Sequence, residues 1–188
     1  PANSLAALKF LIEPSSFDAT KNKKETSKTL VLDSIKAITG TNTKALVGSS
    51  GLSIQYAILM GLIHDALENH KGKAIKIVVP PNCYGGTNDQ ARRVAACIKN
   101  VEILDLPVDG EHDMVESIDL VLNKIANENG IPFIIAEIPT NPRVEVPNLK
   151  KLRDVLTEVR KSITGDIAID PIFILDQTFC PNVHFLGE

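Results

Sequence analysis

The sequence is poor in large aromatic side chains and in cysteine. Of its 188 residues none is Trp, 2 are Tyr and 3 are Cys. The cysteines share no metal-ligand spacing, and no signal-peptide pattern is present, so we predict no metal site and expect reduced thiols in the cytoplasm. No apolar run approaches the ~20 residues that a membrane-spanning helix needs. We therefore predict no membrane segment.

An excess of charge of one sign is also missing. The formal net charge is −3, which gives no electrostatic basis for binding nucleic acid or an anionic membrane. The lysine cluster at residues 21–24 is short and has no interleaved aromatic residue, so we interpret it as a solvated segment. Hydrophobic residues make up 44% of the chain. This composition indicates a globular domain with a core of its own.

The chain starts at Pro1 rather than at a methionine. We therefore expect it to be a processed or cut piece of a longer polypeptide. Two parts are predicted: an N-terminal segment, residues 1–27, and an α/β domain, residues 28–188. In the first part Pro14 follows apolar residues at helical spacing, namely Leu5, Leu8, Leu11 and Ile12.

Strand-like and helix-like apolar patterns alternate along the rest of the chain. The predicted strands are 45–47, 75–79, 101–104, 133–138 and 172–175. The predicted helices are 27–40, 52–70, 87–99, 113–129 and 147–163, the first capped by Ser27 and ended by Gly40. Such alternation with short connections predicts an α/β fold whose mostly parallel sheet carries helices on both faces. Ligands of such sheets bind beyond the carboxyl ends of the strands.

Polar turns follow several of these strands. Residues 48–52, Gly-Ser-Ser-Gly-Leu, lead into a helix start, where free backbone N–H groups and the helix dipole favour a phosphate. An ordinary tight turn with a serine cap is the alternative. Tyr84 follows the strand 75–79, where its ring either stacks on a planar ligand or packs at the domain surface.

Two later turns carry carboxylates. Glu137 ends an apolar strand and needs a partner, because an unpaired buried carboxylate is costly. Pro139 and Pro142 fix the backbone around Asn141, whose amide can donate a hydrogen bond to a ligand oxygen. Asp176 ends the last strand. It either caps the following turn or pairs with a cation, such as a protonated ring nitrogen.

In their order and spacing these turns resemble the cystathionine gamma-synthase family. Its members are pyridoxal-phosphate-dependent enzymes of cysteine and methionine metabolism with an aspartate-aminotransferase-like fold. The resemblance covers roughly residues 28–183. Its motifs are Ser-Ser-Gly-Leu at 49–52, Tyr-Gly-Gly-Thr at 84–87, Glu-x-Pro-Thr-Asn-Pro at 137–142 followed by Val146 and Pro147, and Asp-Gln-Thr-Phe at 176–179.

The resemblance implies that the α/β domain is an incomplete large cofactor domain of a fold-type I enzyme. Gly51 and Leu52 would offer backbone N–H groups to the phosphate of pyridoxal 5′-phosphate. Tyr84 would stack on its pyridine ring, and Asn141 would donate a hydrogen bond to the ring hydroxyl oxygen. Each of these roles is implied by the family and matches the chemistry of the residue at that position.

Asp176 would pair with the pyridine nitrogen, and Thr178 belongs to the same set of cofactor-binding residues. A protonated nitrogen makes the ring an electron sink. The implied reaction is elimination or replacement at the β or γ carbon of cystathionine, methionine, cysteine or an acylated homoserine. The family also implies a homo-oligomer, a dimer or tetramer, with active sites shared across a dimer face.

Three family features are missing. Gln177 stands where the family usually has Asn, and no Tyr-x-Arg pair is found, since no arginine precedes Arg92. The Schiff-base lysine would lie about two dozen residues beyond Asp176, past the last residue Glu188. The last lysine, Lys161, is predicted to lie on a covering helix. No catalytic residue is therefore assigned.

Three alternatives remain open. A degenerate relative could bind a ligand or partner without catalysis. A nucleotide-binding domain is disfavoured because the chain has neither the G-x-G-x-x-G pattern nor a P-loop. Thiol catalysis at Cys83 or Cys180 is disfavoured because His184 lies too close in sequence to Cys180 to form a triad with it.

Overall fold

The computed structural model describes residues 21–108 and 111–185, with side chains from residue 26 onward. The apolar pattern predicted around Leu5 and Leu11 lies outside these residues. Contacts divide the chain into two compact units, Pro1–Leu46 and Val47–Glu188, and each is described by itself.

The first unit contains helix α1, Lys21–Thr39. Ser27 lies inside this helix and does not cap it, because the preceding lysines and Glu25 are good helix formers and extend the helix upstream. The helix ends at Gly40, as predicted, which adopts a φ of 65°. The division of the chain after residue 27 stays a prediction, and α1 runs through that point.

The strand predicted at residues 45–47 does not form. Leu46 is 73% exposed and Val47 is 56% exposed, and neither belongs to a sheet in the described part of the chain. A strand exists only by pairing its backbone with a neighbour. Residues 45–47 have the apolar pattern but no neighbouring strand to pair with in the described part of the chain. The prediction of a strand here was wrong.

The second unit is built on a sheet of four parallel strands. They are β1 Ile75–Val79, β2 Val101–Asp105, β3 Ile131–Glu137 and β4 Ile172–Asp176. The order across the sheet is β2-β1-β3-β4. β3 therefore lies between β1 and β4, and its last residue, Glu137, stands opposite Asp176. The register thus places two carboxylates at neighbouring strand ends.

Helices cover both faces of this sheet, as predicted. They are α2 Gly51–Asn69, α3 Gly85–Cys97, α4 Met114–Asn127 and α5 Leu149–Thr157. One core packs α2 and α3 against Ile77 and Phe133, and the other packs α4 and α5 against Val78 and Ile134. Phe133 is 1% exposed. Full burial of such a side chain contributes about 1.5–3 kcal/mol.

The last helix is shorter than predicted. It ends at Thr157, and Lys161 then forms an antiparallel bridge with Ile167, closed by Gly165 at a φ of 88°. Lys161 therefore does not lie on a covering helix, contrary to the prediction. The segment is anchored by the buried guanidinium of Arg160, which donates to Asp119. This tertiary anchor ends the helix, and the local pattern did not reveal it.

Candidate functional site

Tyr84 stands at the entrance to α3. It occupies the N-cap position of that helix without a side-chain cap bond, and its backbone N–H donates to Glu137 Oε1 over 2.7 Å. The loop is also held by Asn82 Nδ2, which donates to the Val108 carbonyl, and by Asn88 Nδ2, which donates to the Pro80 carbonyl. The side chain of Tyr84 is 54% exposed, so its ring offers an open face.

Gly86 lies beneath the Tyr84 ring. A Cβ added at Gly86 would stand 2.6 Å from Tyr84 Cε1 and 3.1 Å from Leu52 Cδ1. Real Cβ atoms do not come so near to a ring carbon, so any larger residue would displace the ring. The motifs at 49–52 and 84–87 are thus brought into contact over this glycine.

The start of α2 keeps donors available. Ser50 and Ser53 form a reciprocal capping box. The Ser53 N–H donates to Ser50 Oγ over 3.2 Å, and the Ser50 N–H donates to Ser53 Oγ over 3.0 Å. The N–H groups of Gly51 and Leu52 make no hydrogen bond to any described residue. Serine capping is therefore present, and two N–H groups remain at the positive end of the helix.

Side chains tie the start of α2 to α3. Thr87 Oγ1 donates to Gln55 Oε1 over 3.0 Å, and Gln90 Nε2 donates to the Leu52 carbonyl over 3.0 Å. Both bonds join residues that are far apart in the sequence. They fix the two free N–H groups relative to the Tyr84 loop.

Glu137 is buried, with 8% exposure. Its Oε1 accepts the Tyr84 N–H, while its Oε2 is buried without a hydrogen-bond partner among the described residues. Burial raises the pKa of Glu137 most, and the Asp176 charge raises it further. The hydrogen-bonded N–H of Tyr84 opposes the shift, and so, most weakly, does the nearby N–H of Asn141, which forms no hydrogen bond to Glu137 by distance and angle. The partner that the sequence demanded for this carboxylate is thus a backbone N–H from another loop.

The turn after Glu137 closes on itself. The Thr140 N–H donates to the Glu145 carbonyl over 2.9 Å, and the Glu145 N–H donates to Thr140 Oγ1 over 3.0 Å. The peptide bonds Ile138–Pro139 and Asn141–Pro142 are cis. Asn141 is half-buried in this turn, and its side chain makes no hydrogen bond within the described residues. Its amide is available to a ligand.

Asp176 caps the turn that follows β4. Its Oδ1 accepts from the Thr178 N–H over 2.9 Å and from Thr178 Oγ1 over 2.6 Å. No ion pair of Asp176 is found in residues 21–108 and 111–185, and Oδ2 makes no hydrogen bond there. Thr178 is therefore placed to support Asp176. Gln177 Nε2 donates to the Val183 carbonyl and so holds the next turn.

These contacts connect one edge of the sheet. Leu52 and Tyr84 both lie against Gly86, Tyr84 is bonded to Glu137, and Glu137 stands in register with Asp176. The sequence did not place Glu137 or Gly86 among the ligand-binding residues. A carboxylate at the end of an otherwise apolar strand was the signal for Glu137. The clearance role of Gly86 had no signal, since it depends on where the Tyr84 ring lies.

Thiol chemistry is not favoured at this edge. Burial, and then the Glu137 charge, raises the pKa of Cys83 to about 11. The thiolate is the reactive form, so Cys83 is a weak nucleophile at neutral pH. Within the described residues no group of three or more His, Cys, Asp or Glu side chains could hold a metal ion. No described helix is long and apolar enough to cross a membrane.

Leu52 and Gly86 also line a groove. It has a volume of about 460 Å³ and runs between α2 and α3. Its lining is mostly apolar: Leu52, Tyr56, Met60, Val94 and Ile98, with Asp89 and Arg93 among the polar residues. The carboxylates Glu137 and Asp176 do not line it. The groove therefore shares Leu52 and Gly86 with the sheet edge but not its carboxylates.

Comparisons with known proteins identify a fold. No family model and no curated protein matches the sequence. MetB from Corynebacterium glutamicum is similar in structure with 18% identity, 78% of this chain and 30% of that chain covered, and a TM-score of 0.49. Mouse CSAD is similar with 16% identity, 82% of this chain and 32% of that chain covered, and a TM-score of 0.57. The chain thus spans about a third of the length of each.

The likeness to mouse CSAD confirms the predicted fold. The chain has an α/β fold with a four-stranded, all-parallel sheet and helices, and this fold is similar to that of mouse CSAD. At 16% identity the likeness concerns the fold alone. The roles of Gly51, Leu52, Tyr84, Asn141, Asp176 and Thr178 stay predictions, now with a described geometry.

Proposed function

We propose that this chain is part of a pyridoxal-phosphate-dependent lyase or transferase of sulfur amino-acid metabolism. Its cofactor site would be the sheet edge that runs from Leu52 to Asp176. The main support is the connected arrangement of Tyr84, Glu137 and Asp176 at three strand ends. Such an edge is where parallel α/β sheets bind ligands.

The residues at this edge fit the chemistry of the cofactor. The free N–H groups of Gly51 and Leu52 suit its phosphate. The open face of Tyr84 suits a planar ring. The Asp176 carboxylate suits a protonated ring nitrogen, and the free amide of Asn141 suits a ring hydroxyl. A group of suitable chemistry is thus present for the phosphate, the ring face, the ring nitrogen and the ring hydroxyl.

When bound, pyridoxal phosphate supplies an electron sink for the carbanion that an amino-acid substrate leaves at Cα. The described residues would bind and orient it. Asp176 would hold a proton on the ring nitrogen, with Thr178 fixing Oδ1 and leaving Oδ2 for that contact. Tyr84 would cover one face of the ring and exclude water there.

The covalent step needs a lysine, which no described residue at this edge supplies. Binding by these residues is therefore noncovalent, and the reaction belongs to the polypeptide of which the chain is a part. Amino acids such as cystathionine, methionine, cysteine or an acylated homoserine are the proposed substrates. Three unpaired cysteines support a reducing compartment such as the cytoplasm.

We also propose that the chain associates with copies of itself. Large apolar side chains are exposed on one helix of the second unit, with Tyr56 at 50%, Leu67 at 40% and Ile58 at 37% exposure. Exposed apolar surface of this kind is typical of surfaces that another protein covers. Light scattering at working concentration should give a mass above that of one chain. A clean monomer would contradict this part of the proposal.

Binding of pyridoxine 5′-phosphate tests the cofactor site. This analogue carries an alcohol in place of the aldehyde, so it cannot form Schiff bases with surface lysines. In a Tyr56→Phe background Tyr84 is the remaining tyrosine, and its emission should be quenched with saturation as the analogue is added. Asp176→Ala should weaken binding about tenfold, because it removes a hydrogen-bonded charge partner.

Asp65→Ala is the matched control, since Asp65 is an exposed carboxylate on α2 that accepts a bond only from Asn69 within its own helix. It should leave the affinity unchanged. Two results would overturn the proposed site: no saturable quenching of the parent protein, or equal affinities for the Asp176→Ala and Asp65→Ala proteins.

The reaction is tested in the polypeptide that carries this chain in the cell. With pyridoxal phosphate added, it should release ammonia and a keto acid from cystathionine or methionine, or exchange the substituent of an acylated homoserine. Binding of the cofactor without any of these products would favour the alternative, a ligand-binding relative without catalysis.

A further inference from the structure

We propose that Glu137 is a positioning residue of this site. Its single carboxyl group, at the centre of the sheet edge, fixes the Tyr84 loop against the strand ends and sets the local charge beside Asp176. The ligand part of this inference rests on the proposed function. The loop part does not, and can be measured in the free protein.

The sheet order gives Glu137 this position. β3 lies between β1 and β4, so its last residue separates the loop that follows β1 from the end of β4. Glu137 reaches the backbone of Tyr84 on one side, over 2.7 Å, and stands in register with Asp176 on the other. Asn141 lies in the turn that leaves the same strand. Glu137 is thus hydrogen-bonded to one residue assigned to the ring and lies at the strand ends next to two others.

The bond to Tyr84 is well suited to fixing a loop. Its acceptor is a carboxylate with 8% exposure, and charged, desolvated hydrogen bonds are stronger than neutral ones. Tyr84 makes no side-chain cap bond of its own at the start of α3. The other side-chain bonds to the loop come from Asn82 and Asn88, which do not involve Tyr84, and from the Cys83 thiol, a weak donor that reaches the Tyr84 carbonyl over 3.6 Å. Glu137 therefore makes the side-chain bond to the N–H of the residue that carries the ring.

The second carboxyl oxygen points to more than a structural role. Glu137 Oε2 is buried without a partner in the described part of the chain, and the neighbouring Asp176 is a like charge. Both features disfavour the charged form in the free protein, and the raised pKa of Glu137 reflects them. A cationic group held by Asp176 would relieve this repulsion. The pair of carboxylates therefore favours a cationic ring over a neutral one.

The groups around Glu137 define what can titrate with it. They are Asp176 on β4, the thiol of Cys83 in the Tyr84 loop, and the backbone N–H groups of Tyr84 and Asn141. Because burial and Asp176 raise its pKa, Glu137 gains its charge at a higher pH than an exposed glutamate does. Affinity for a cationic ring should therefore contain a step that rises with pH as Glu137 ionises.

Amide hydrogen exchange tests the loop part without any ligand. Glu137→Ala removes the acceptor, so the Tyr84 N–H should exchange about tenfold faster. Glu137→Gln keeps a carbonyl oxygen as an acceptor and should retain most of the protection. Glu68→Gln, on the exposed side of α2, is the control and should change nothing. Unchanged protection in Glu137→Ala would overturn the positioning role.

Affinity for pyridoxine 5′-phosphate, measured against pH, tests the ligand part. Glu137→Ala should weaken binding about tenfold at neutral pH, and Glu137→Gln by less, about threefold. Relative to Glu68→Gln, the Glu137→Gln protein should lack the rising step with pH, which a purely structural role of the side chain would not remove. The ratio of their affinities is the readout, because it cancels titration of the ligand itself.

The outcomes separate the two proposals. If the parent protein binds the analogue and both Glu137 variants bind it equally well with the same pH dependence, the inference about Glu137 is wrong and the cofactor site stands. If the parent protein does not bind, the cofactor site and the ligand part fail together. Faster exchange of the Tyr84 N–H in Glu137→Ala would then still support the loop part.

Discussion

Buried charges occur in two kinds of surroundings in this molecule. Lys76, within the sheet, pairs with Glu102 at 2.7 Å and with Glu128 at 2.9 Å. The guanidinium of Arg160 is likewise surrounded by acceptors, including Asp119. Glu137, at the carboxyl edge of the sheet, accepts one hydrogen bond, from the Tyr84 N–H. Its other oxygen is buried without a hydrogen-bond partner among the described residues, and a like charge stands beside it.

This difference distinguishes two roles. Paired charges stabilise the fold, whereas the charge of Glu137 belongs to the proposed ligand site. Burial lowers the pKa of Lys76, but its two carboxylate partners outweigh that effect and raise it, so the lysine stays charged. Its charge is compensated inside the protein. The charge of Glu137 is not compensated inside the protein. The unfavourable free energy of this buried charge falls at the edge where parallel sheets bind ligands.

The largest expected effect comes from removing a buried charge that has partners of opposite charge. Arg160→Ala leaves Asp119, Glu158 and the Val155 carbonyl without their donor. Because Arg160 is buried and its partners are partly exposed, we expect a loss of about 2–3 kcal/mol in the free energy of unfolding, measured in urea. Arg93→Ala removes an exposed pair with Asp89 and should leave the free energy of unfolding nearly unchanged. Equal losses would contradict the comparison.

The substitution Gly86→Ala tests the proposed ligand site rather than the stability of the fold. The added Cβ would stand 2.6 Å from Tyr84 Cε1, so the half-exposed ring should swing away and the affinity for pyridoxine 5′-phosphate should fall about tenfold. The free energy of unfolding should change little, because the ring can move into solvent. Gly85→Ala is a matched control on the adjacent residue, where an added Cβ meets nothing within 4 Å. A similar affinity for both variants would contradict the placement of the ring.

A smaller effect concerns stability against pH. The folded-state pKa of Glu137 is raised, so its contribution to stability is present at low pH and is lost as pH rises through that pKa. Glu137→Gln removes this loss. The stability of the variant relative to the parent protein should therefore be higher at pH 7 than at pH 4, as measured by urea unfolding. A difference that does not vary with pH would show that Glu137 is not disfavoured as an anion.

The smallest effect concerns a neighbouring thiol. With a pKa of about 11, about one Cys83 in a thousand is a thiolate at pH 8. Cys97 is exposed. Iodoacetamide at pH 8 should therefore alkylate Cys83 at least about tenfold more slowly than Cys97, as measured by mass spectrometry of the peptides. Equal rates would indicate that the surroundings of Glu137 are more open than described.

Much of the sheet followed from the sequence, because strands buried on both faces appear as short apolar runs. All residues of β1 and β3 are buried, and both were predicted within two residues of their ends. The strand at 45–47 failed, since pairing depends on a neighbour that local pattern does not show. The end of α5 failed because the anchor of Arg160 joins residues far apart in sequence.

The site was predicted in part for a similar reason. Carboxyl ends of parallel strands share one edge, so the motif residues Tyr84, Asn141 and Asp176 could be placed at that edge from strand order along the chain. The hydrogen bond from Tyr84 to Glu137 could not be predicted from the sequence, because it depends on β3 lying between β1 and β4. The capping of the following turn by Asp176, which accepts hydrogen bonds from Thr178, was one of two open interpretations. Because Oδ2 makes no hydrogen bond to a described residue, Asp176 can cap this turn and also pair with a cation, which was the other interpretation.

Hydrogen exchange with and without pyridoxine 5′-phosphate tests the central claim most directly, because it locates the bound ligand. The account predicts slower exchange with ligand at four places along one sheet edge, residues 48–52, 82–87, 139–142 and 176–178. Exchange of Met60 and of Val94 in the groove between α2 and α3 should not change. Slowing confined to that groove, or no slowing at saturating ligand, would contradict a cofactor site at the carboxyl ends of the strands.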